Sequence, residues 1–484
     1  MPYLGPIPHP AVGIRIPEIL LTGVLRAYRR RNVAGGLMLS FGRETAPENV
    51  INAPPGEYEI TMGHTGTSIK KYMTMGAEAA AREGVIVEIE ADHLIIVGSS
   101  AKAVKRIAGI HEETRISPEE LERSIAFNKA EIDEAVSTGV VNTFTTDTSD
   151  LIDLRVEAWD DDVVKERFER SFSAQERKGL YARYLGREFV FPGRCGKNYK
   201  YRLTRTKLMR LALKFKDSIR INREIYDYIK ERMGTPFGFE ISLDETAERT
   251  REEELLFYLN EWKASGAHAE FVAPNVGFKK RMDFRGDLKE LEDRVARQAA
   301  IARSFGALLS IHSGSGTSPH SGKGRGTYRT LLNATGGDLK YKISGVYMEL
   351  LLEMLASFPP HSKERELYNN IFDGVYSYLC GELESRGVLA SALLKKQMER
   401  YEKEVARGTR ESRDPRAAFF RFNSFLALNL RDAKGRRHFR DELVALYQGD
   451  SRFRELVDRE VEKLTLRLVD GLRFGNNVQK LTQV

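Results

Sequence analysis

Acidic and imidazole side chains follow one short β-like run of this sequence after another. The runs, each with the candidate residues at its end, are Tyr58–Met62 with His64, Val85–Glu90 with Asp92 and His93, Val141–Thr146 with Asp147, Phe237–Leu243 with Asp244 and Glu245, Ala269–Ala273 with Asn275, and Ala307–Ile311 with His312. A (β/α)8 barrel gathers the C-terminal ends of its parallel strands on one face, and that face carries the chemistry. Because carboxylates and imidazoles are ligands of divalent metals, the pattern predicts an α/β, TIM-barrel-like fold with a metal site at its mouth.

Two of these strand ends carry neighbouring polar residues. The acid beside a histidine in Asp92-His93 is costly to bury unless a metal or a substrate partners it, and the alternative is an Asp–His pair that closes the following turn. In Asp244-Glu245, neighbours in an extended segment point to opposite sides, so one carboxylate faces the barrel mouth while the other caps the next helix. We favour Glu245 as the residue that faces the mouth.

Three further positions combine a polar side chain with a turn. His312 precedes the turn Ser313-Gly-Ser315, where a neutral imidazole suits a metal and the backbone amides can form an anion-binding nest. His64 lies in a glycine-rich turn that opens a predicted helix, an arrangement typical of anion binding. Asp147 and Asp150 serve either in acid–base chemistry or as caps of the next helix, and the pattern leaves both open.

Apolar runs and helical patterns alternate from Glu57 onward, which is the order expected of a parallel α/β sheet. The predicted units are an irregular N-terminal segment (1–56), a barrel domain (57–430) with an inserted helical region (155–235) after its third strand, and a helical C-terminal extension (431–484) that packs on the barrel. Tyr341–Ser344 and Phe419–Leu428 are predicted as the seventh and eighth strands.

The composition narrows the class of protein. The chain has 484 residues, of which 41% are hydrophobic, and this is ample for a large buried core. Its two cysteines, Cys195 and Cys380, have no zinc-finger spacing and fit a reducing cytosol. The N-terminus lacks the pattern of a secretory signal, and no apolar run approaches the roughly 18 residues of a membrane helix. We therefore expect a cytoplasmic protein without a membrane partner.

The charge is +7, from 76 basic and 69 acidic residues. The basic runs Arg26–Arg31, Lys200–Lys216 and Lys323–Arg329 adjoin acidic residues, so we interpret them first as solvated surface, next as a lining for a small anion, and last as a nucleic-acid groove. The Gly- and Ser-rich stretch His312–Thr327 suits a flexible loop over a site, and Lys323 within it is a candidate substrate contact. The sequence leaves a homo-oligomer open.

Several segments resemble the tagaturonate epimerase family, metal-dependent enzymes that interconvert tagaturonate and fructuronate. The similar segments are Glu90-Ala-Asp-His-Leu94, Thr146-Asp-Thr-Ser-Asp150, Ile241–Thr246, Ala273-Pro-Asn275, Met282–Leu288, Leu309–Ser315 and Gly435–Leu443. They occur in the family's order, and the resemblance runs from about residue 57 to the end of the chain. It implies a TIM-barrel isomerase that acts on an acidic sugar with one divalent ion, and Zn, Mn, Ni, Co and Fe are not distinguishable.

The residue patterns and the resemblance together give a set of candidate site residues. These are His93, Glu245 and His312 as metal ligands, Asp92, Asp147 and Glu245 as catalytic groups, and His64, Asn275, Lys280, Ser313 and Lys323 as substrate contacts. The resemblance implies three of these assignments: the metal ligands, the proton-transfer roles of Asp92 and Asp147, and the contact of Lys280 with a substrate carboxylate.

The chain departs from the family in its loops. Gly316-Thr317 stands where the family usually has Asp-Lys, the loop through Ser321–Gly326 is longer, Asn275 replaces an arginine, and the turn Gly63–Gly66 differs. These positions fall in loops that contact substrate. The barrel and the metal site can therefore be shared while the sugar differs.

The reaction that the resemblance implies inverts a carbon one bond beyond the carbon that the ketone acidifies, so plain enolisation would invert the wrong centre. No dinucleotide-binding fingerprint is present to carry a hydride, and this favours retro-aldol chemistry or a metal-assisted proton shuttle. Two alternatives stay open. One is a metal-dependent aldolase or isomerase acting on another acidic or neutral ketose, and the other is a non-enzymatic binding protein for an anionic sugar or nucleic acid.

Overall fold

Eight parallel strands close into a barrel at the centre of the protein, in a computed structural model that describes residues 3–107 and 116–483. The twelve strands of these residues are β1 (His9–Gly13), β2 (Gly35–Ser40), β3 (Thr45–Ala46), β4 (Thr67–Ser68), β5 (Val87–Ile95), β6 (Thr143–Asp147), β7 (Phe189–Pro192), β8 (Asn198–Tyr201), β9 (Gly238–Leu243), β10 (Phe271–Pro274), β11 (Leu308–Ile311) and β12 (Leu339–Ile343). The barrel runs in the order β1, β2, β5, β6, β9, β10, β11 and β12, and β12 pairs with β1 to close it. The predicted (β/α)8 fold is confirmed.

Helices connect the strands and surround the barrel. Those of the described residues are α1 (Pro17–Arg30), α2 (Glu48–Ile51), α3 (Ile69–Glu83), α4 (Ser100–Ile107), α5 (Pro118–Ser137), α6 (Asp161–Ser171), α7 (Ala174–Tyr184), α8 (Arg205–Met233), α9 (Glu252–Ala264), α10 (Leu288–Ser304), α11 (Thr327–Thr335), α12 (Gly345–Ala356), α13 (Lys363–Ser385), α14 (Ala392–Ala406), α15 (Ala418–Phe422), α16 (Leu426–Asn429), α17 (His438–Gly449) and α18 (Ser451–Gly471). Short 3-10 turns cover Ser149–Leu151, Leu154–Ala158, Arg194–Gly196 and Asn477–Gln483.

Local signals in the sequence fix the ends of several helices. Ser117 caps α5 by accepting the backbone N–H of Glu120, whose side chain in turn accepts the N–H of Ser117, so the two residues form a capping box. Gly84 ends α3 in the left-handed conformation with φ of 63°, a conformation that costs glycine little.

The N-terminal segment contradicts the prediction that residues 1–56 are irregular. This segment contributes β1, α1 and β2, so the barrel begins at His9. The strand β2 opens with two glycines, and packing explains both of them. A Cβ at Gly35 would lie 2.5 Å from the ring of Tyr28, and one at Gly36 would lie 2.7 Å from the Cβ of Ala11. Glycine therefore lets α1 and β1 approach the strand closely.

Two predicted strands are wrong. Tyr58–Met62 forms turns, and the turn that carries His64 leads into β4 and α3. Phe419–Leu428 forms parts of the short helices α15 and α16, whose apolar side chains are buried. A short apolar run does not distinguish a buried strand from a buried helix, and this is the reason for the second error. The predicted seventh strand corresponds to β12, the eighth strand of the barrel.

The long insertion follows the fourth strand of the barrel rather than the third, because β1 and β2 precede the strands that the sequence indicated. It contains α6, α7 and an antiparallel hairpin of β7 and β8. The helix α8, which was included in the predicted insertion, packs against α5 and α9 and is the barrel's own connecting helix.

The C-terminal region is helical, as expected. Its last long helix, α18, packs against α1 and α12 on the outside of the barrel. Among the described residues, no helix combines the length and apolar character needed to cross a membrane.

Candidate active site

The interior of the barrel holds a layer of charged side chains below the mouth. Alternate residues of a strand face the same side, so Glu88 and Glu90 of β5 point inward together with Lys340 and Lys342 of β12. Glu240 of β9 completes the layer. All five side chains are buried.

Each lysine of this layer is surrounded by carboxylates. The ammonium of Lys340 lies 2.6 Å from Glu88, 2.9 Å from Glu90 and 3.1 Å from Glu240. The ammonium of Lys342 lies 2.6 Å from Glu90, 2.8 Å from Asp92 and 3.1 Å from Glu240. Burial alone would lower the pKa of both lysines, but the carboxylates raise it above its ordinary value. The layer is therefore a buried network of three carboxyl and two ammonium groups, in which each lysine has several oppositely charged neighbours.

His93 reaches the mouth from an irregularity in β5. The register between β5 and β6 shifts between Ala91 and Leu94, and His93 takes a φ of 49°. A non-glycine residue in this left-handed region is uncommon and occurs preferentially at functional sites. The imidazole of His93 lies between the ring of His312 and the carboxylate of Asp147. Its Nε2 is 3.0 Å from His312 Nδ1, and its Nδ1 is 3.4 Å from a carboxylate oxygen of Asp147.

His312 lies between two carboxylates. Its Nδ1 is 3.0 Å from Asp244 Oδ1, and its Nε2 is 2.5 Å from Glu240 Oε1. Burial alone would lower the pKa of His312, but Asp244 and Glu240 outweigh it and raise the pKa to about 9. Glu240 thus connects the charged layer inside the barrel to the histidine at its mouth.

The donor atoms of His93, Asp244 and His312 form a group that could hold a metal ion. The imidazole nitrogens are 3.0 Å apart, which is the spacing of neighbouring ligands around one ion at bond lengths of about 2.1 Å. The second carboxylate oxygen of Asp244 is buried and has no hydrogen-bond partner among the described residues. Two imidazoles and a carboxylate suit a borderline divalent metal, so the donor set fits the ion that the sequence predicts.

A second group with metal-ligand geometry joins His93 to Asp147 and Glu245. Glu245 also accepts a hydrogen bond of 2.8 Å from Arg43 Nη1 and contacts the ammonium of Lys280. The structure therefore brings together His93 and His312, two of the residues that the sequence predicts as ligands. The carboxylate that joins both histidines, however, is Asp244, which the sequence analysis assigned to helix capping.

A cavity of about 100 Å³, called the inner cavity here, lies beside these histidines. Its cationic lining residues are Arg15, Arg43, Lys280, Arg281 and Lys342, and its carboxylates are Glu44 and Asp92. Five cations and two carboxylates line this wall, and Glu245, outside the lining, pairs with Arg43 and Lys280.

Two guanidinium nitrogens at the inner cavity are buried without a hydrogen-bond partner among the described residues. They are Nη1 of Arg15 and Nε of Arg43. His64 lies at the same wall, where burial and the nearby Arg15 lower its pKa to about 3. A neutral imidazole beside unused guanidinium donors indicates a pocket suited to an anion.

A larger outer cavity of about 620 Å³ opens next to the inner one. Lys280 and Ser313 line both cavities, whereas Asp244, Glu245 and Asn275 line only the outer one. Ser313 has a φ of 57° at the junction. A ligand entering through the outer cavity would pass these residues before it reaches the histidines.

Three further predicted residues contact other parts of the protein rather than an open part of the cavities. Asp147 lines neither cavity and approaches the site through His93. Asn275 uses its amide to join loops, because it donates to Thr246 O and accepts from Gly277 N at 2.9 Å each. The ammonium of Lys323 is buried and donates to the carbonyls of Lys279, Ser313 and Ser315. Burial lowers its pKa to about 7, and its contacts hold two loops together.

Several site residues were missed by the sequence analysis. They are Arg15, Arg43, Glu240, Arg281, Lys340 and Lys342. The sequence does contain a pattern that indicates two of these residues, Lys340 and Lys342. The acids Glu88, Glu90 and Asp92 alternate along one strand, and Lys340 and Lys342 alternate along another, a pattern that predicts a charged inward face.

Known proteins that are similar to this chain include some described as epimerases of tagaturonate and fructuronate. A tagaturonate/fructuronate epimerase from Thermotoga maritima is 28% identical over 213 residues, which are 43% of this chain and 41% of the relative, so the match spans about two fifths of that protein. A glycerol-complexed crystal structure of fructuronate-tagaturonate epimerase from Cohnella laeviribosi has a TM-score of 0.66 at 20% identity, over 98% of this chain and 82% of that one.

The native crystal structure of the Cohnella laeviribosi enzyme agrees, with a TM-score of 0.64 at 19% identity over 98% of this chain and 83% of that one. At these identities the two crystal structures establish a shared fold. The sequence profile described as tagaturonate epimerase matches residues 127–465, which is more than half of the chain. The chain therefore belongs to the tagaturonate epimerase family.

Proposed function

We propose that this protein interconverts tagaturonate and fructuronate with the help of one divalent metal ion. The observation that carries the proposal is the juxtaposition of the His93–Asp244–His312 group with the inner cavity, where buried guanidinium nitrogens of Arg15 and Arg43 have no hydrogen-bond partner among the described residues. A ketose with a carboxylate at its far end needs both features. The metal group would bind the oxygens near the reacting carbons, and the inner cavity would bind the carboxylate.

His93, Asp244 and His312 would hold the ion, with Glu240 fixing the orientation of His312 from behind. The bound ion would supply Lewis-acid stabilisation of negative charge on the ketone oxygen. Glu245 is the alternative carboxylate ligand, through the second group that it forms with His93 and Asp147. Its ion pairs with Arg43 and Lys280 favour a role in organising the cations instead.

The substrate carboxylate would bind in the inner cavity against Arg15 and Arg43. Each of these guanidinium groups keeps one buried nitrogen without a hydrogen-bond partner among the described residues, and a carboxylate supplies the missing acceptors. The neutral His64 adds a further polar contact without repelling the arginines. Lys280, at the junction of the two cavities, is placed to contact either the carboxylate or a hydroxyl group.

The chemistry that we propose is retro-aldol cleavage and re-addition. The hydroxyl proton of the inverted carbinol passes to a base while the bond to the carbon next to the ketone breaks. The bonding electrons move into the ketone to give an enediolate, and the carbinol becomes an aldehyde. A half-turn of the aldehyde presents its other face, the bond re-forms, and the proton returns to the new alkoxide. Atoms and charge balance without a redox partner.

Proton exchange would use groups on two sides of the mouth. Asp92 lines the inner cavity, where burial opposes its ionisation but Lys342 lowers its pKa, so it is an ionised carboxylate that would face the substrate as a weak base. The group on the other side would be the pair of Lys280 and Glu245. Lys280 follows β10 and Glu245 follows β9, and neither strand is a neighbour of β5 in the barrel. Asp147 would act as a positioning residue, because it lines neither cavity and its carboxylate lies 3.4 Å from His93 Nδ1.

We also propose that the enzyme works in the cytoplasm. Its two cysteines are free thiols, Cys195 being exposed and Cys380 partly buried, as expected in a reducing compartment.

The test combines metal analysis with product analysis. Protein purified without added metal is assayed for bound metal, and then for turnover of tagaturonate and fructuronate with and without a chelator. The proposal expects bound metal, interconversion at unchanged mass, and loss of activity on chelation that metal restores. Two fragments in the mass spectrum would identify an aldolase instead. Retention of both metal and full activity by His312→Ala and Asp244→Asn would overturn the assignment of ligands.

A further inference from the structure

A second concave surface, the basic cleft, lies outside the cavities of the proposed active site. Its volume is about 1140 Å³, and none of its lining residues lines the inner or outer cavity. The cationic residues of this cleft are Arg194, Arg325, Arg329, Arg467, Arg473 and Lys480. They come from the β7–β8 turn, the loop before α11 and α11 itself, the end of α18 and the segment after it.

The cleft carries almost no compensating negative charge. Asp470 is its one lining carboxylate among the described residues, and Asp470 is already bound by Arg31 at 2.7 and 2.8 Å. The guanidinium groups of four cleft arginines form no hydrogen bond or ion pair with any residue that the structure describes; they are those of Arg325, Arg329, Arg467 and Arg473. Four arginines converging without partners are stabilised only by solvent or by an anion.

This arrangement differs from the other arginine-rich surface of the chain. In the run Arg26–Arg31, the arginines at positions 26, 29, 30 and 31 each contact a carboxylate, so the run is a neutralised, solvated surface. The run Lys323–Arg329 instead delivers two unpaired arginines to the cleft. The difference lies in the surroundings, because the run without ion pairs is the less basic one, with three basic residues in seven against four in six.

Two glycines show that the cleft has a defined shape. A Cβ at Gly336 would collide with the guanidinium of Arg194, so glycine at this position makes room for a side chain that the inserted hairpin delivers. A Cβ at Gly471 would lie 2.5 Å from the ring of Tyr328, so glycine lets that ring pack at the cleft wall. Arg194 also donates to the carbonyl of Thr335, which fixes it across the cleft.

We propose that the basic cleft is a binding site for a small organic or inorganic polyphosphate. Guanidinium groups match phosphate oxygens in pairs, and several of them surround one concavity here instead of lining an extended groove. Its volume is near that of cavities that enclose small ligands, about 300–1,000 Å³, and this favours a compact anion over a nucleic-acid strand.

The test measures binding of inorganic tripolyphosphate to the intact protein by isothermal titration calorimetry. The Arg329→Gln/Arg467→Gln variant removes two cleft charges. The control variant, Lys396→Gln/Arg407→Gln, removes two exposed charges on and just after α14 and changes net charge equally. Any extraction of active-site metal by the polyphosphate would appear in both variants. Circular dichroism and the thermal midpoint confirm that each variant is folded.

The proposal expects one tripolyphosphate per chain, an increase in Kd of at least about tenfold in the cleft variant, and an unchanged Kd in the control. Equal binding by both variants would refute it. Affinity for single-stranded DNA that exceeds tripolyphosphate affinity and grows with strand length would assign the cleft to nucleic acid instead. A wild-type oligomer that dissociates in the cleft variant, seen by light scattering, would make the cleft a subunit interface and also refute the proposal.

Discussion

Replacement of Glu240 by glutamine tests the connection between the charged barrel interior and the proposed metal site. Glu240 accepts a hydrogen bond from His312 Nε2 at 2.5 Å and lies 3.1 Å from the ammonium groups of both Lys340 and Lys342. Glutamine keeps the volume and one acceptor oxygen but removes the negative charge. Both functions of the residue, orienting His312 and balancing two lysines, should therefore weaken without a cavity being formed.

The two effects have different magnitudes. Loss of a partner that orients a metal-binding histidine typically lowers metal affinity by about 10- to 100-fold. Removal of one member of a buried ion pair costs about 3–5 kcal/mol of folding free energy, and we expect the lower end because other carboxylates stay near each lysine. Lys340 keeps Glu88 and Glu90, and Lys342 keeps Glu90 and Asp92.

Metal affinity is measured by competition with a chromophoric chelator, and stability by urea unfolding of the metal-free protein. Glu254→Gln is the matched control, because Glu254 is also buried and lies 2.6 Å from the ammonium of Lys214, away from the histidines. The control should lose stability while its metal affinity stays within about twofold. Wild-type metal affinity in a folded Glu240→Gln protein would refute the reasoning, since it would show that His312 needs no support from the barrel interior.

Three further predictions concern the mouth of the barrel. Arg43→Met should raise KM for tagaturonate by at least about tenfold in steady-state assays while changing KM for the neutral sugar tagatose less, because only the acid uses the guanidinium. Asp244→Asn should reduce metal content more than Glu245→Gln, as metal analysis of the purified variants would show. Burial alone would raise the pKa of Glu44, but Arg15 lowers it to about 2, so ionised Glu44 stabilises the fold above pH 4.5 and this contribution is lost as the pH falls towards 2. Glu44→Gln should therefore flatten the decline of unfolding free energy between pH 5 and pH 2 by about 3 kcal/mol.

The positions of polar residues at strand ends were predictable from the sequence where the strand itself has the composition of a buried strand. The runs that became β9 and β11 have the apolar or aromatic composition of buried strands, and the residues after them line the cavities at the mouth, namely Asp244, Glu245 and His312. The N-terminal strands were not recognisable, because β1 contains Pro10 and β2 opens with two glycines. Those residues are tolerated because neighbouring elements pack closely against them, and no local pattern reports such packing.

The choice between Asp244 and Glu245 shows the same limit at the site. The sequence established that adjacent carboxylates at a strand end point to different sides, but not which side faces the histidines. In the fold, Ser242 donates to Asp244 at 2.6 Å and His312 lies 3.0 Å from it, while Glu245 turns towards Arg43. Contacts between three different strands and a loop decided this, and their positions depend on closure of the barrel.

By itself the sequence determined the fold class, and it predicted His93 and His312 as neighbours at the mouth of the barrel. These depend on period-two alternation and on polar residues at strand ends, which are local properties of the chain. The tertiary structure alone decided which carboxylate joins those histidines, which arginines surround the inner cavity, and that Lys340 and Lys342 of β12 meet the acids of β5 and β9 inside the barrel. These contacts join residues up to about 250 positions apart, and electrostatic compensation over such separations exists only once the barrel has closed.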